Sequence, residues 1–313
     1  MHRSISYVFV SLVVLGAAGC LPKDTRPTPA SVLITASSDD AIAQGFDTND
    51  GWHIDFSRFV LSLGHAALGD DDACNSYSEA HYERVLDLKQ AGPQKVNLIY
   101  GLGSCTVTFM VTSPGDNALA GTGVTDSDLL FMRTQFDDRF TKGQGINGYV
   151  SGSAVKGAQQ KTFTWVFRQD WFYSECVEPN ADGKLSNLQL DGADAQFVDI
   201  LVRGEGLFHI MTEPNQTAPQ LLFEPMALAD TATGNNDGDV SLDELSQVNV
   251  YAVPFLDAPG SSNPSADTDA GASDAGVPTV TDLQSYVYKT LYRGMLHYAG
   301  SGRCYLSPSR PRR

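Results

Sequence analysis

From residue 31 to about 212 the dominant hydrophobic period is two. Trp52, Ile54 and Phe56 alternate with His53 and Asp55, and after a one-residue slip Phe59, Leu61 and Leu63 continue. Alternation marks a strand with one buried face, and a slip of one residue marks a β-bulge. Val96, Leu98 and Tyr100 alternate, as do Val107, Phe109 and Val111, and Phe163, Trp165 and Phe167. Phe197 to Val202 is a short, nearly continuous apolar run. Turn-forming clusters separate these stretches: SPGDN (113–117), KGQGING (142–148) and EPNADGK (178–184). Many short strands with frequent turns predict a mainly β protein, a β-sandwich over 31–212. A helix is expected within 125–140, TDSDLLFMRTQFDDRF.

After 212 the pattern changes. Within a separate segment at 213–256, residues 218–230 hold apolar positions at mixed spacing, with a helix expected after Pro225. Residues 257–278 contain almost no large apolar side chains, so they are expected to be a disordered loop. Residues 279–313 read as a C-terminal helix capped by Thr281, followed by a short basic tail. Leu283, Val287, Leu291 and Tyr298 mark the apolar face of that helix.

The first 30 residues are of another kind. His2 and Arg3 precede an apolar run of twelve residues, Tyr7 to Ala18, too short to span a bilayer. Ala17, Ala18 and Gly19 then lead to Cys20. The segment resembles a bacterial lipoprotein signal: residues 1–19 removed, Cys20 acylated, and 20–30 a Pro- and Thr-rich tether. The third position before the cysteine is Ala17 where the pattern prefers Leu, and an ordinary secretory signal cut near Ala18 is the alternative. The resemblance implies attachment to the membrane by a lipid anchor. Leu21, where an Asp would retain the protein in the inner membrane, points to the outer membrane, facing the periplasm or the cell surface.

Four cysteines remain: Cys74, Cys105, Cys176 and Cys304. An even count in an exported protein implies two disulfides. The spacings of 31, 71 and 128 residues contain no CxxC, which argues against zinc and thioredoxin-type chemistry. Cys74 and Cys105 flank a strand pair, so that bridge is expected, leaving Cys176 with Cys304.

Hydrophobic residues make up 42 % of the chain and aromatics 10 %, enough for a core. Asp and Glu outnumber Lys and Arg by 37 to 21, a net charge of −16, which opposes nucleic-acid binding.

The most specific chemical motif is TGNNDGDVSLDEL, 233–245. With Gly238 at the bend, Asn235, Asp237, Asp239, Ser241 and Glu244 fall at the ligand positions of a calcium loop. Thr233 stands where Asp is usual, and Asp230, three residues upstream, can serve only if the loop is stretched. The segment resembles EF-hand and dockerin loops and implies bound calcium. It also reads as a turn at Asn236-Asp237-Gly238 followed by a capping box, Ser241 to Glu244. DGWHIDFSRFVLSLG (50–64), the DGDVSLDEL segment and a terminal cysteine after a Gly-rich turn together resemble exported lipoproteins of bacteria. That resemblance brings no established activity with it.

Other motifs are less specific. His209-Ile-Met211, with His53 or His297, offers soft ligands suited to copper; a histidine at the edge of a core is the alternative. Gly143 to Gly148 matches GxGxxG but reads as a turn, because a strand follows it. Asp137-Asp138 and Asp70 to Asp72 are carboxylate groups that read as solvated loops, although a glycosidase needs such a pair. Trp165, Trp171, Phe172 and Tyr173 suit either a sugar platform or a core. HExxH, GxSxG and Walker-A motifs are absent. The resulting expectation is a non-enzymatic, lipid-anchored binding or structural protein with a calcium loop, its protein or glycan partner unidentified. A periplasmic copper-binding protein and a β-sandwich hydrolase are the alternatives.

Overall fold

A computed structural model describes residues 27–69, 73–133, 145–192, 194–210, 220–249 and 281–308. Two sheets face one another. In the six-stranded sheet the strands Leu188–Leu190, Gln94–Cys105, Ala30–Ser38, Gln196–Val202 and Leu296–Tyr298 lie in that order, and Cys74–Ser76 pairs with Gln94–Cys105. Ala30–Ser38 and Gln196–Val202 run parallel, and the remaining pairs of this sheet are antiparallel. The ten-stranded sheet runs Gln159–Phe167, Gly148–Lys156, His53–Leu68, Val107–Val111, Trp171–Pro179, Leu185–Ser186, with shorter strands alongside. The chain is therefore mainly β and sandwich-like, as its period-two pattern predicts.

His53–Leu68 shows how sequence sets this geometry. Trp52, Ile54 and Phe56 are buried, while His53 and Asp55 face solvent. The pairing with Gly148–Lys156 slips between Phe56 and Arg58. The bulge lets Phe59, Leu61 and Leu63 point to the same core despite the odd spacing. A second slip, against Val107–Val111, lies between Gly64 and Ala67. His65 sits there with φ 51°, a value few non-glycine residues adopt.

Between the sheets lies an aromatic core. Phe163 packs on Trp165 at 4.8 Å between ring centroids, Phe56 packs edge-on to Phe163 at 6.0 Å, and Phe208 joins them. Burying each such side chain contributes about 1.5–3 kcal/mol. Trp165, Trp171 and Tyr173 are all buried, so they form core and not a sugar platform; Phe172 is half-buried. A second, smaller cluster (Val60, Val85, Leu129, Met132, Ile146, Tyr149) lies apart from the main core, and the Asp126–Arg133 helix contributes Leu129 and Met132 to it.

The C-terminal part completes both sheets. Its helix spans Leu283–Gly294 and is capped by Asp282, whose carboxylate accepts from the Ser285 amide, and not by Thr281. Leu283 and Val287 are buried in the main core, as their spacing predicts. Tyr298 is not helical: it lies in Leu296–Tyr298, paired with Gln196–Val202. Arg303–Pro308 is likewise a strand, on Trp171–Pro179, and takes in Ser307 and Pro308 of the expected basic tail. Helical spacing in the sequence carries no trace of the strand partners that pull these residues out of the helix. Gly148 opens a strand, as the turn reading of the GxGxxG match requires.

Cys74 is bonded to Cys105, with Cα atoms 4.9 Å apart, and Cys176 to Cys304, at 4.0 Å. The first bridge crosses a strand pair of one sheet, and the second joins adjacent strands of the other. Two disulfides suit an oxidising compartment outside the cytoplasm. Among the described residues no helix is long and apolar enough to cross a membrane. Residues 1–26 with Cys20, the 257–278 segment, Asp70 to Asp72, Asp137-Asp138 and Met211 lie outside the described residues.

Candidate metal site

The 230–244 loop is pinned to the edge of the ten-stranded sheet. Thr162, on the edge strand Gln159–Phe167, donates its amide to the Gly238 carbonyl at 2.8 Å and accepts from the Val240 amide at 2.7 Å. Trp165 Nε1 donates to the Val240 carbonyl at 2.8 Å. Val240 and Leu245 are buried in the main core, so the loop cannot leave without exposing them.

Upstream, the Glu224–Leu228 helix starts with Pro225 in its first turn and widens into a π-helical turn at Ala229–Thr233. The wider turn turns Asp230 inward, where it is fully buried. Thr233 donates its hydroxyl to the Ala229 carbonyl at 2.9 Å, satisfying the helix instead of facing the loop. The first acidic side chain of the loop is thus Asp230, and the loop is stretched by three residues relative to the expected spacing. π-Turns of this kind recur at functional sites.

Asp230, Asp237 and Glu244 each bring a carboxylate oxygen to one place, all within 4.8 Å of one another. Asp230 Oδ2 accepts from the Lys161 ammonium and from the Gly238 amide. Its Oδ1 is buried and has no hydrogen-bond partner among the described residues. Glu244 is buried as well, accepting from the Asn235 amide on Oε1 at 3.1 Å and from the Ser241 amide and hydroxyl on Oε2, each at 3.0 Å. Ser241 in turn accepts from the Glu244 amide, closing the capping box of the Leu242–Leu245 helix. Both readings of the motif therefore coexist.

Asn235 makes an Asx-type turn, accepting from the Asp237 amide at 2.9 Å, and Asp237 accepts from the Asp239 amide at 2.8 Å. The Asp239 amide, with help from Asn235, holds the exposed Asp237 carboxyl below the usual range. The Asp239 carboxylate accepts from Thr162 Oγ1 at 2.8 Å, on the sheet side. Of the expected ligands, Asp237 and Glu244 converge, with Asn235 and Ser241 hydrogen-bonded directly to them. Gly234 is required by the close approach: a Cβ there would lie 2.2 Å from Glu244 Oε1 and 2.8 Å from the Asp230 carbonyl. Three carboxylates against one ammonium, with a buried oxygen free, form a hard-oxygen cluster that can hold a metal ion. Among the described residues no other group of three or more His, Cys, Asp or Glu side chains converges in this way.

The histidines divide. His53 is exposed, with Nδ1 2.8 Å from Asp47. Burial pushes the pKa of His209 down, and that of His297 too, the latter lowered further by the charges of Arg203 and His209.

No protein-family model matches the chain, and no curated protein matches it. Among solved structures, MbnP from Methylosinus trichosporium is similar over 68 % of this chain and 93 % of that one, at 14 % identity and a TM-score of 0.27. So low a likeness carries no argument about function, and the site is read from its own residues.

Sequence reading missed Lys161 altogether, yet its signal was present. Lys161 has the same strand parity as Phe163, Trp165 and Phe167, so it points into the sandwich. An inward lysine calls for a buried counter-ion, and Asp230 is that ion.

Proposed function

We propose that the protein is a non-catalytic, lipid-anchored module of the bacterial envelope whose 230–244 loop binds calcium as a structural and ligand-presenting element. The observation that carries this reading is the unpartnered, buried Oδ1 of Asp230 beside the Asp237 and Glu244 carboxylates. A buried carboxylate oxygen without a donor is costly, and a hard divalent cation satisfies it. The Lys161 ammonium neutralises the site in part, so calcium competes with a tethered cation. Affinity is expected near that of extracellular calcium modules, about 10⁻⁴–10⁻³ M.

The test is thermal melting in EDTA and in calcium. At about 10 mM calcium the bound ion adds about 1.4–2.7 kcal/mol to the native state. For a domain of this size that raises the midpoint by about 3–10 °C. Asp237→Asn removes one carboxylate from an exposed position, so it should abolish the shift while leaving calcium-free melting nearly unchanged. A wild-type protein with no calcium shift would overturn the reading.

Metal analysis of the purified protein is a second test: bound calcium supports the reading, and bound copper without calcium would overturn it.

A further inference from the structure

The outward side chains of the six-stranded sheet change character along its strands. Where Ala30–Ser38 pairs with Gln94–Cys105, Ser31 lies opposite Tyr100 and Leu33 opposite Leu98; on its other side Leu33 lies opposite Phe197. Tyr77, one residue beyond the Cys74–Ser76 strand, donates its amide to the Tyr100 carbonyl at 2.9 Å and shares the outward parity of Asn75. Phe197 is 70 % exposed, Tyr77 57 % and Tyr100 41 %, while Leu33 and Leu98 are half-buried. Two residues further along, Thr35 lies opposite the exposed Lys95 on one side and Asp199 on the other. Asp199 accepts from the hydroxyls of Thr35 and Ser37. An apolar patch at the end where Ala30–Ser38 begins thus stops at a polar row.

What covers the patch follows from where this end of the sheet is tied. Ser31 lies eleven residues after Cys20, so the start of the strand stays within about 40 Å of that cysteine. Two outward rows on four strands cover about 250 Å². A standard protein interface takes about 800 Å² from each partner, so the patch is too small to hold a second copy. Tyrosine joins an apolar ring to a polar tip and is enriched where a membrane meets water. The flanking charges decide the kind of lipid. Glu79 and Asp194, two and three residues from Tyr77 and Phe197, are exposed, and an anionic surface would repel them.

We propose that this patch seats the domain on a zwitterionic phospholipid surface, with Phe197, Tyr77 and Tyr100 at the level of the headgroups. The inference rests on the acylation of Cys20 and gives the anchored domain an orientation. Five side chains bury too little apolar area to hold a membrane by themselves. The tether makes their contact intramolecular and so raises its effective concentration. The row of Lys95, Thr35 and Asp199 stays in water.

Acylated protein reconstituted in phosphatidylcholine vesicles provides the test, with brominated phosphatidylcholine as a quencher of tryptophan. Trp52, Trp165 and Trp171 are buried in the core and give a constant background. In Phe197→Trp the added emission should be blue-shifted and quenched by the brominated lipid; in Lys95→Trp it should not be quenched. Tyr100→Ser in the Phe197→Trp background should shift the balance between seated and free domain about tenfold toward free and restore most of the emission, while the protein still floats with the vesicles. Floating protein with unquenched Phe197→Trp emission overturns the seat and leaves the anchor standing. Equal quenching in Phe197→Trp and Lys95→Trp also overturns it. Blue-shifted but unquenched emission in a protein that cross-links to itself overturns it in favour of a second copy. Protein that does not float overturns the anchor and the seat together.

Discussion

The Lys161 ammonium donates to Oδ2 of Asp230, 69 residues further along the chain, while Oδ1 of the same carboxylate has no partner among the described residues. Both side chains are buried. One half of the carboxylate is thus neutralised by the protein itself and the other half is left for an ion. This division decides how the loop responds when either partner is changed.

Lys161→Met should make the loop more dependent on calcium. Removing one partner of a buried ion pair costs about 3–5 kcal/mol, because the remaining charge is stranded. Calcium supplies the missing positive charge, so melting in EDTA should fall sharply and the calcium-induced rise should exceed that of wild type. Asp230→Asn in the same background should remove the calcium response. Equal calcium shifts in wild type and Lys161→Met would disprove the competition between lysine and metal.

Asp170 gives a pH dependence of definite sign. Burial pushes its carboxyl up to about 6, against hydrogen bonds from Asn147, Thr112 and the Ser113 amide. The folded state therefore holds this proton more tightly than the unfolded chain does. The stabilisation is complete below about pH 4 and is lost as pH rises through about 6. A shift of this size is worth about 3 kcal/mol. Asp170→Asn cannot titrate, so the stability of wild type relative to the variant should fall by that amount between about pH 4 and pH 7. Urea unfolding at several pH values measures it, and parallel pH profiles would refute the assignment.

Breaking the two disulfides should have unequal effects. The Cys74–Cys105 bridge closes a loop of 31 residues and the Cys176–Cys304 bridge one of 128. Loop-closure entropy assigns them about 4 and about 5 kcal/mol. Paired Cys→Ala substitutions at 176 and 304 should therefore lower the urea midpoint more than those at 74 and 105. The reverse order would show that strand pairing, and not the unfolded chain, dominates.

Cys20 should be the first residue of the mature protein and should carry acyl chains. Intact-mass spectrometry of membrane-extracted protein would show the lipid increment, and Cys20→Ser should remove it together with membrane retention. A free thiol at Cys20 in the mature protein would exclude the anchor.

What the chain determines by itself is local. Strands follow from alternation at 52–63 and 161–167, and even the bulge at Phe56 to Arg58 shows as a slipped period, because side-chain parity is a property of the backbone. The Asx turn and the capping box at 235–244 are likewise written in neighbouring residues, since their hydrogen bonds span only two to four positions. The disulfide pairing follows from the strand pair that Cys74 and Cys105 flank, which leaves Cys176 for Cys304. The remaining features depend on where burial brings distant residues. Asp230 joins the loop because a widened helical turn and the edge strand press it against Lys161. Tyr298 leaves the helix because Gln196–Val202 offers it a strand partner. No periodicity encodes these meetings: each is fixed by packing across the sandwich, where the free energy of burial outweighs local preference.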